Sequence, residues 1–279
     1  MNKDNIISAI LCGGTGSRLR PLTYYFQKSM IPIGSKQKPL LEYIIKLLKF
    51  YGIYDIVLLV GYKHEQILNY FEDGKRFGIK IKYFHDIEGY KGNGWAILNA
   101  YDKGIFNGFE NILVYYGDII SNINLLEMIE QHKKRNSFVT LAVSKGYKLP
   151  IGIVKIDNDM KIIEIKEKPI IDINVGIGIF LLKIEALEIL KNISKNYKNI
   201  ELDLMNDLLP NLIKMNKNID AYITNCFWYD IGSTEKYEKL DSNIVDNVFN
   251  FIFEKEKWKN YSNFYKWKSY ISAGLNTPP

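Results

Sequence analysis

A short buried-type strand that ends in a glycine cluster constrains this chain more than any other feature. Ile6 to Leu11 shows no amphipathic spacing and reads as a strand covered on both faces, as in a mostly parallel sheet. It gives way to Gly13-Gly14-Thr15-Gly16-Ser17-Arg18. With no Cβ in the way, backbone N–H groups of such a turn can approach an anion closely. Arg18 adds a forked cation suited to phosphate oxygens, and Lys28 follows in Lys28-Ser29-Met30-Ile31-Pro32-Ile33. Together these residues describe a loop built for a polyphosphate.

The loop is neither of the two common phosphate cradles. A Walker loop requires GxxxxGK[ST], a register in which no Lys or Arg stands here. A dinucleotide fingerprint requires GxGxxG, and counting from Gly14 places Leu19 at the third glycine.

The rest of the chain alternates. After the loop, Leu41, Ile44, Ile45 and Leu48 recur at helical spacing within Leu40–Tyr51, and Gly52 suits the position after a helix end. Strands are expected at Asp55–Gly61, Ile79–Phe84 and Asn111–Tyr116, with helices at His64–Phe71 and Gly94–Ile105 between them. This alternation predicts an α/β fold: an open, mostly parallel, Rossmann-like sheet with helices on both faces and ligands beyond the carboxyl ends of its strands. From about Phe138 the strands shorten: Phe138–Ser144, then Ile151–Ile156 and Lys161–Lys166 as a hairpin through Asn158-Asp159, then Val175–Leu182. Helices at Ile184–Ile193 and Asp203–Asn216 and a strand at Ala221–Thr224 complete the pattern.

The run G-G-x-G-[ST]-R-L-x-P-L-T, with Lys28 five residues after Thr23 and then Pro32-Ile33 and Lys38-Pro39, closely resembles the N-terminal signature of the sugar-1-phosphate nucleotidyltransferases. The resemblance covers about residues 5–242. It implies that Leu11, Gly13, Gly14 and Gly16 bind nucleotide and that Arg18 and Lys28 are catalytic. It further implies that Asp118, after a strand-ending Gly117, and Asp230, in Trp228-Tyr229-Asp230-Ile231-Gly232, hold one Mg2+. Read alone, each aspartate is equally a turn or helix-cap residue. Glu167-Lys168-Pro169 matches the sugar-phosphate segment, with Glu167 for hydroxyls and Lys168 for the 1-phosphate, and Gly152 and Asn174 match sugar-contacting positions. Read alone, Glu167-Lys168 is a solvated charge pair beside a turn proline.

Gly89–Ala96 resembles the family's second glycine loop, which closes over the nucleobase, and implies nucleotide contact by Gly92. Asn93 stands there for the family's threonine. Trp95 reads either as a stacking residue for a ligand or as an anchor of the loop. Asp86 falls near the position from which relatives read the base. Gln27 replaces a proline common before the lysine, which implies a looser loop. Cys12 stands where the family usually has alanine and reads as a small buried residue.

The two halves implied are a nucleotide-binding half, about 1–137, and a β-rich sugar-phosphate half, about 138–245, with an aromatic tail at 246–279. In that tail Phe249, Phe251, Phe253, Trp258, Tyr261, Phe264, Tyr265, Trp267 and Tyr270 admit three readings: packing on the protein's own surface, a homo-oligomer interface, or contact with a membrane surface. No hexapeptide repeat follows. Two cysteines, Cys12 and Cys226, are too few for a disulfide framework and fit a reducing cytoplasm. No apolar run approaches membrane-spanning length. A net charge of +6 without a basic block argues against nucleic acid. His64, His85 and His132 share no metal-ligand spacing and read as ordinary residues.

The expected activity joins an NTP to a hexose 1-phosphate, yielding an NDP-sugar and pyrophosphate for glycan or surface polysaccharide synthesis. GTP is the first choice, because a carboxylate at Asp86 only accepts hydrogen bonds and guanine offers adjacent N1–H and N2–H donors; dTTP or UTP is the runner-up. A GT-A glycosyltransferase would want a DxD motif, which Asp118-Ile119-Ile120 lacks. A non-catalytic NDP-sugar-binding regulator would be signalled by loss of Arg18, Lys28, Asp118 or Asp230, and all four are present.

Overall fold

A computed structural model describes residues 5–197 and 200–253. Its central sheet has seven strands: β1 (Ile6–Cys12), β2 (Asp55–Val60), β3 (Lys80–His85), β4 (Asn111–Tyr116), β5 (Val139–Lys148), β6 (Ile170–Lys183) and β7 (Ile219–Thr224). Their spatial order is β7-β5-β6-β4-β1-β2-β3. β1 lies parallel to β2 and β4, β2 to β3, and β5 to β7. Only β6 runs the other way, antiparallel to both β4 and β5. The reason lies in its connection. Parallel neighbours need a long crossover, normally a helix, whereas β5 reaches β6 through a small hairpin of Ile153–Ile156 against Ile162–Lys166.

β1 shows how the strands are covered on both faces. Ile6 and Ile10 enter one apolar core, and Ile7 and Ala9 enter the other. Ser8 is fully buried in the same strand, and its hydroxyl donates to the Leu113 carbonyl at 3.1 Å. That bond offsets the cost of taking a hydroxyl out of water. The first core is closed by α1 (Leu40–Phe50), α2 (His64–Phe71), α4 (Leu125–Lys134) and α8 (Ser242–Phe253). The second is closed by α3 (Asn93–Asp102), α5 (Ala186–Ser194) and α6 (Leu209–Lys214). The fold is thus the expected α/β sandwich of helices on a mostly parallel sheet.

Some elements depart from the sequence reading. The helix expected over Asp203–Asn216 divides into a wide turn, Leu204–Leu208, followed by α6. Pro210 is the cause: its ring and missing N–H are tolerated in a first helical turn but not in an interior. Asp203 caps the wide turn by accepting from the N–H groups of Met205 and Asn206. β6 begins five residues before the expected Val175, because it pairs with an extended β5 as far as Ile170 opposite Lys148.

The helix α8 runs across the expected division at residue 245. Within it Val245 and Phe249 are buried, and the Phe249 ring meets Tyr43 edge-on at 5.5 Å. A fully buried Phe contributes about 1.5–3 kcal/mol, so this turn of the tail is core. Phe253 also packs edge-on against Tyr43, at 5.0 Å, and Phe251 against Phe50 at 4.9 Å. The expectations for Trp258 onward lie outside the described residues. No helix of the described residues is long and apolar enough to cross a membrane.

Candidate functional site

The glycine turn stands at the carboxyl end of β1. Gly16 adopts φ 62°, which a side chain resists, and a Cβ there would meet Thr23 Cγ2 at 2.8 Å. Thr23 in turn donates its hydroxyl to the Gly16 carbonyl at 2.9 Å. Gly14 is exposed, with open space where a Cβ would lie. Leu11 is half-buried, and its carbonyl accepts from Gly117 N at 3.0 Å, which ties the tip of β4 to β1. Arg18 is exposed on the short turn Ser17–Leu19 and makes no side-chain bond among the described residues. Cys12 is buried beside this turn, and burial pushes its thiol up to about 12. It is an inert packing residue, as expected.

Lys28 opens the next short turn, Lys28–Met30. The residue before it does the opposite of loosening the loop. Gln27 is buried, its Nε2 donates to the Cys12 carbonyl at 2.6 Å, and its Oε1 accepts from Ser29 N at 2.6 Å. Its own N–H donates to Gln66 Oε1 at 2.7 Å. Three bonds therefore clamp the lysine turn to the end of β1 and to α2, replacing the rigidity a proline would supply. Sequence reasoning missed this because a glutamine's partners are set by folding and not by spacing.

Asp118 follows Gly117 at the end of β4, and Lys28 forms an ion pair with it. Gly117 has a steric reason: a Cβ there would meet the Leu11 carbonyl at 2.6 Å and Ser29 Oγ at 2.8 Å. Asp230 is brought alongside by a pair of three-residue strands, Ile119–Ser121 antiparallel to Trp228–Asp230, with Asp230 opposite Ile119. Ile231 N donates to the Asp118 carbonyl at 2.9 Å. Both aspartate side chains stay partly open to solvent, at 24% and 29% exposure. Asp230 Oδ2 accepts from Lys236 Nζ at 2.6 Å. Lys236 sits on α7 (Thr234–Glu238), which Thr234 and Tyr237 tie to the carbonyls of Arg20 and Pro32. Lys236 had no signal in the sequence.

No group of three or more His, Cys, Asp or Glu is placed to hold a metal among the described residues. The two aspartates nevertheless suit Mg2+. It favours oxygen ligands and is usually held by one or two carboxylates, with waters and substrate phosphates filling its octahedron.

Asp86 continues from the end of β3, where its N–H donates to the Val60 carbonyl at 2.8 Å. Its carboxylate lies over two glycines: a Cβ on Gly13 would be 2.1 Å from Asp86 Oδ2, and one on Gly61 would be 2.4 Å away. Burial raises the Asp86 carboxyl above the usual carboxylate range, with His85 pulling the other way. The residue as a whole remains exposed, so this burial is one-sided, from the glycine turns below. The structure thus joins Asp86 to Gly13.

Gly92 is held elsewhere. A Cβ on it would meet the Leu202 carbonyl at 2.3 Å, and Gly94 N donates to that same carbonyl at 2.8 Å. Asn93 fastens the loop further, donating to Asp203 Oδ2 at 2.6 Å and to Tyr116 Oη at 3.1 Å while accepting from Leu204 N at 2.7 Å. Trp95 donates its indole N–H to the Ile200 carbonyl at 3.0 Å and meets Tyr90 edge-on. Both contacts fit the reading of Trp95 as an anchor of the loop. The second glycine loop is thereby tied to the segment preceding α6.

On the sugar-phosphate side, Glu167 Oε2 lies over Gly152, where a Cβ would be 2.7 Å from it. Lys168 has φ 46° and its Nζ lies 3.8 Å from Glu167 Oε1. Both side chains are more than half exposed, so this ion pair contributes little to stability. Asn174 pairs with Lys145 across β6 and β5, next to a register shift between Ile171 and Asn174. Among the described residues no side-chain bond joins it to Glu167 or Lys168.

Residues 7–247 match the model of the nucleotidyl transferase family. A UTP–glucose-1-phosphate uridylyltransferase of Synechocystis is 30% identical over 244 residues, covering 82% of this chain, and the chain spans only 60% of that relative's length. A glucose-1-phosphate adenylyltransferase of Clostridium acetobutylicum is 27% identical over 287 residues, covering 94% of this chain and 73% of that protein. Among solved structures, a Bacillus anthracis protein assigned provisionally as a glucose-1-phosphate thymidylyltransferase, crystallised with sucrose, superposes with a TM-score of 0.68 at 24% identity. That match covers 88% of this chain and 99% of that one, and carries the likeness of fold alone.

Proposed function

The chain belongs to the nucleotidyl transferase family, and on that premise we propose that it joins a nucleoside triphosphate to a hexose 1-phosphate, releasing pyrophosphate and forming an NDP-sugar. The observation that carries the reading is the convergence of Lys28, Asp118 and Asp230 beside a glycine turn at the carboxyl ends of β1 and β4. Parallel α/β sheets bind their ligands at that edge.

The reaction is an in-line displacement: an oxygen of the sugar phosphate attacks the α-phosphorus, and the bond to the departing pyrophosphate breaks. It demands positioning and charge neutralisation, with no covalent intermediate on the protein. Gly13, Gly14 and Gly16 present backbone N–H groups to the triphosphate, and Leu11 lines its floor. Arg18, exposed and unpaired among the described residues, is free to hold the leaving pyrophosphate. Lys28, held by the Gln27 clamp, meets the charge that grows at the α-phosphate. Asp118 and Asp230 would hold Mg2+, which when bound neutralises phosphate oxygens. Lys168 receives the 1-phosphate, while Glu167, Gly152 and Asn174 contact the sugar. Gly92 belongs to the loop that covers the base.

The relatives differ in the base they are named for, so the choice rests on this chain's own residues. Asp86 lies over Gly13 in the triphosphate turn, where a carboxylate can accept from guanine N1–H and N2–H together. GTP is therefore the proposed nucleotide, with dTTP or UTP second. A reducing cytoplasm, with both cysteines free, is the proposed setting, and supply of NDP-sugar for glycan or surface polysaccharide the proposed role. Pyrophosphate release measured with GTP, dTTP, UTP, CTP and ATP, each crossed with several hexose 1-phosphates, tests the reading. No release with any pair overturns it.

A further inference from the structure

Each of the two aspartates already carries a lysine. Lys28, from the turn after β1, pairs with Asp118, and Lys236, from α7, pairs with Asp230. The second pair is built rather than incidental. Lys236 N donates to Ser233 Oγ at 3.3 Å, and its carbonyl accepts from Tyr229 Oη at 2.8 Å, so the residue's backbone is fixed at both ends. Gly232 leaves room for Asp230 to fold back toward it; a Cβ there would stand 2.8 Å from Asp230 Oδ1 and 3.0 Å from Oδ2.

Two carboxylates against two ammonium groups leave no net charge to attract a divalent cation. A metal ion arriving alone would meet a lysine on each carboxylate, and like charges at that range repel. A triphosphate changes the balance, because it brings several negative charges and offers Lys28 a new partner. We propose that Lys28 and Lys236 are resident counter-ions of the aspartate pair, so that the divalent ion is taken up with the nucleotide and not before it. Lys236 is thereby a positioning residue for Asp230. This inference rests on the proposed assignment of Asp118 and Asp230 as metal ligands.

The test is Mn2+ binding read by water-proton relaxation enhancement, with and without a non-hydrolysable α,β-methylene analogue of GTP or of UTP. The wild type is expected to bind Mn2+ weakly alone and strongly with an analogue. Lys236→Met should tighten binding of Mn2+ alone by about tenfold, since one resident cation is gone, while Lys236→Arg keeps the pair and should match the wild type. A thermal melt of each variant confirms that it folds; should Lys236→Met fail, Lys236→Gln makes the same measurement. Equal, weak Mn2+ binding in wild type and Lys236→Met overturns the inference and leaves the metal assignment standing. So does tight binding to the wild type without nucleotide. If Asp118→Asn keeps the nucleotide-dependent Mn2+ signal, the metal assignment itself fails, and the counter-ion role falls with it.

Discussion

Lys28 and Asp118, 90 residues apart in the chain, form an ion pair between the turn that follows β1 and the end of β4. The lysine side chain is 14% exposed, close enough to solvent for a ligand to reach it and covered enough for its charge to be poorly screened. This pair ties the glycine turn to the carboxylates.

Lys28→Ala should lower turnover about a hundredfold or more, as removal of a preorganised charge from a phosphoryl-transfer site does. Melting temperature should fall as well, because Asp118 loses the partner of a largely covered ion pair. Pyrophosphate release and a thermal melt measure both. Near wild-type turnover would remove Lys28 from the reaction.

Gln27→Ala should cost both stability and rate. It strips partners from the Cys12 carbonyl and Ser29 N–H, both buried, at a cost on the order of 3 kcal/mol. The turn that aims Lys28 is also released, so kcat should fall with the melting temperature. A stability loss without any change in kcat would mean that the clamp serves the fold alone.

Lys168→Ala should raise KM for the sugar 1-phosphate far more than KM for the NTP. Its ammonium is more than half exposed, and its neighbour Glu167 is a weak partner at 3.8 Å, so a phosphate can take it over. Equal changes in both constants would contradict the assignment.

Asp86→Gln should shift kcat/KM away from GTP toward dTTP or UTP, because an amide both donates and accepts where a carboxylate only accepts. In the wild type, GTP use should also weaken with acidification. Partial burial raises the Asp86 carboxyl above its usual range, so the acceptor pair is lost as pH falls through that raised value. A wild-type preference for dTTP or UTP would refute the guanine reading.

His132 should make folding stability fall on acidification. It is buried in α4 between Thr140 Oγ1 at 2.8 Å and Asn111 Oδ1 at 3.2 Å, and burial pushes its imidazole down to about 4 from an ordinary 6.5. The unfolded chain therefore binds a proton first as pH drops. The contribution of neutral His132 is fully present above pH 6.5 and is lost between there and about 4, on the order of 3 kcal/mol in all. Urea unfolding at pH 7 and pH 5 should show a larger loss in the wild type than in His132→Gln. Equal losses would place the titration elsewhere.

Much of the fold was legible because its signals are local. β1, β4 and α2 have the bounds or nearly the bounds that their apolar runs indicate, and Gly52 takes φ 82° just past the end of α1 as its position implies. The helix α4 carries Leu125, Met128, Ile129 and His132 on one buried stripe, a spacing that a titratable fourth member disguises. The reversed direction of β6 was not legible, since periodicity reports which side chains are covered and not which way a strand runs.

The sequence by itself determined the glycine turn, the cations Arg18 and Lys28, and Asp118 after a strand-ending glycine, since each follows from residue type and short spacing; Asp230 was legible only through the family resemblance. Only the tertiary structure decided which charges meet. Asp230 reaches Asp118 through two three-residue strands too short to carry a periodic signal, and one backbone bond from Ile231 N secures them. Gln27 acquires Cys12 and Gln66 the same way, at the edge of the sheet, whereas Lys236 meets Asp230 through the local turn that leads into α7. Side chains that flank separate strands become neighbours only when the strands pair, and strand pairing is driven by the apolar faces beneath and not by the polar residues it brings together.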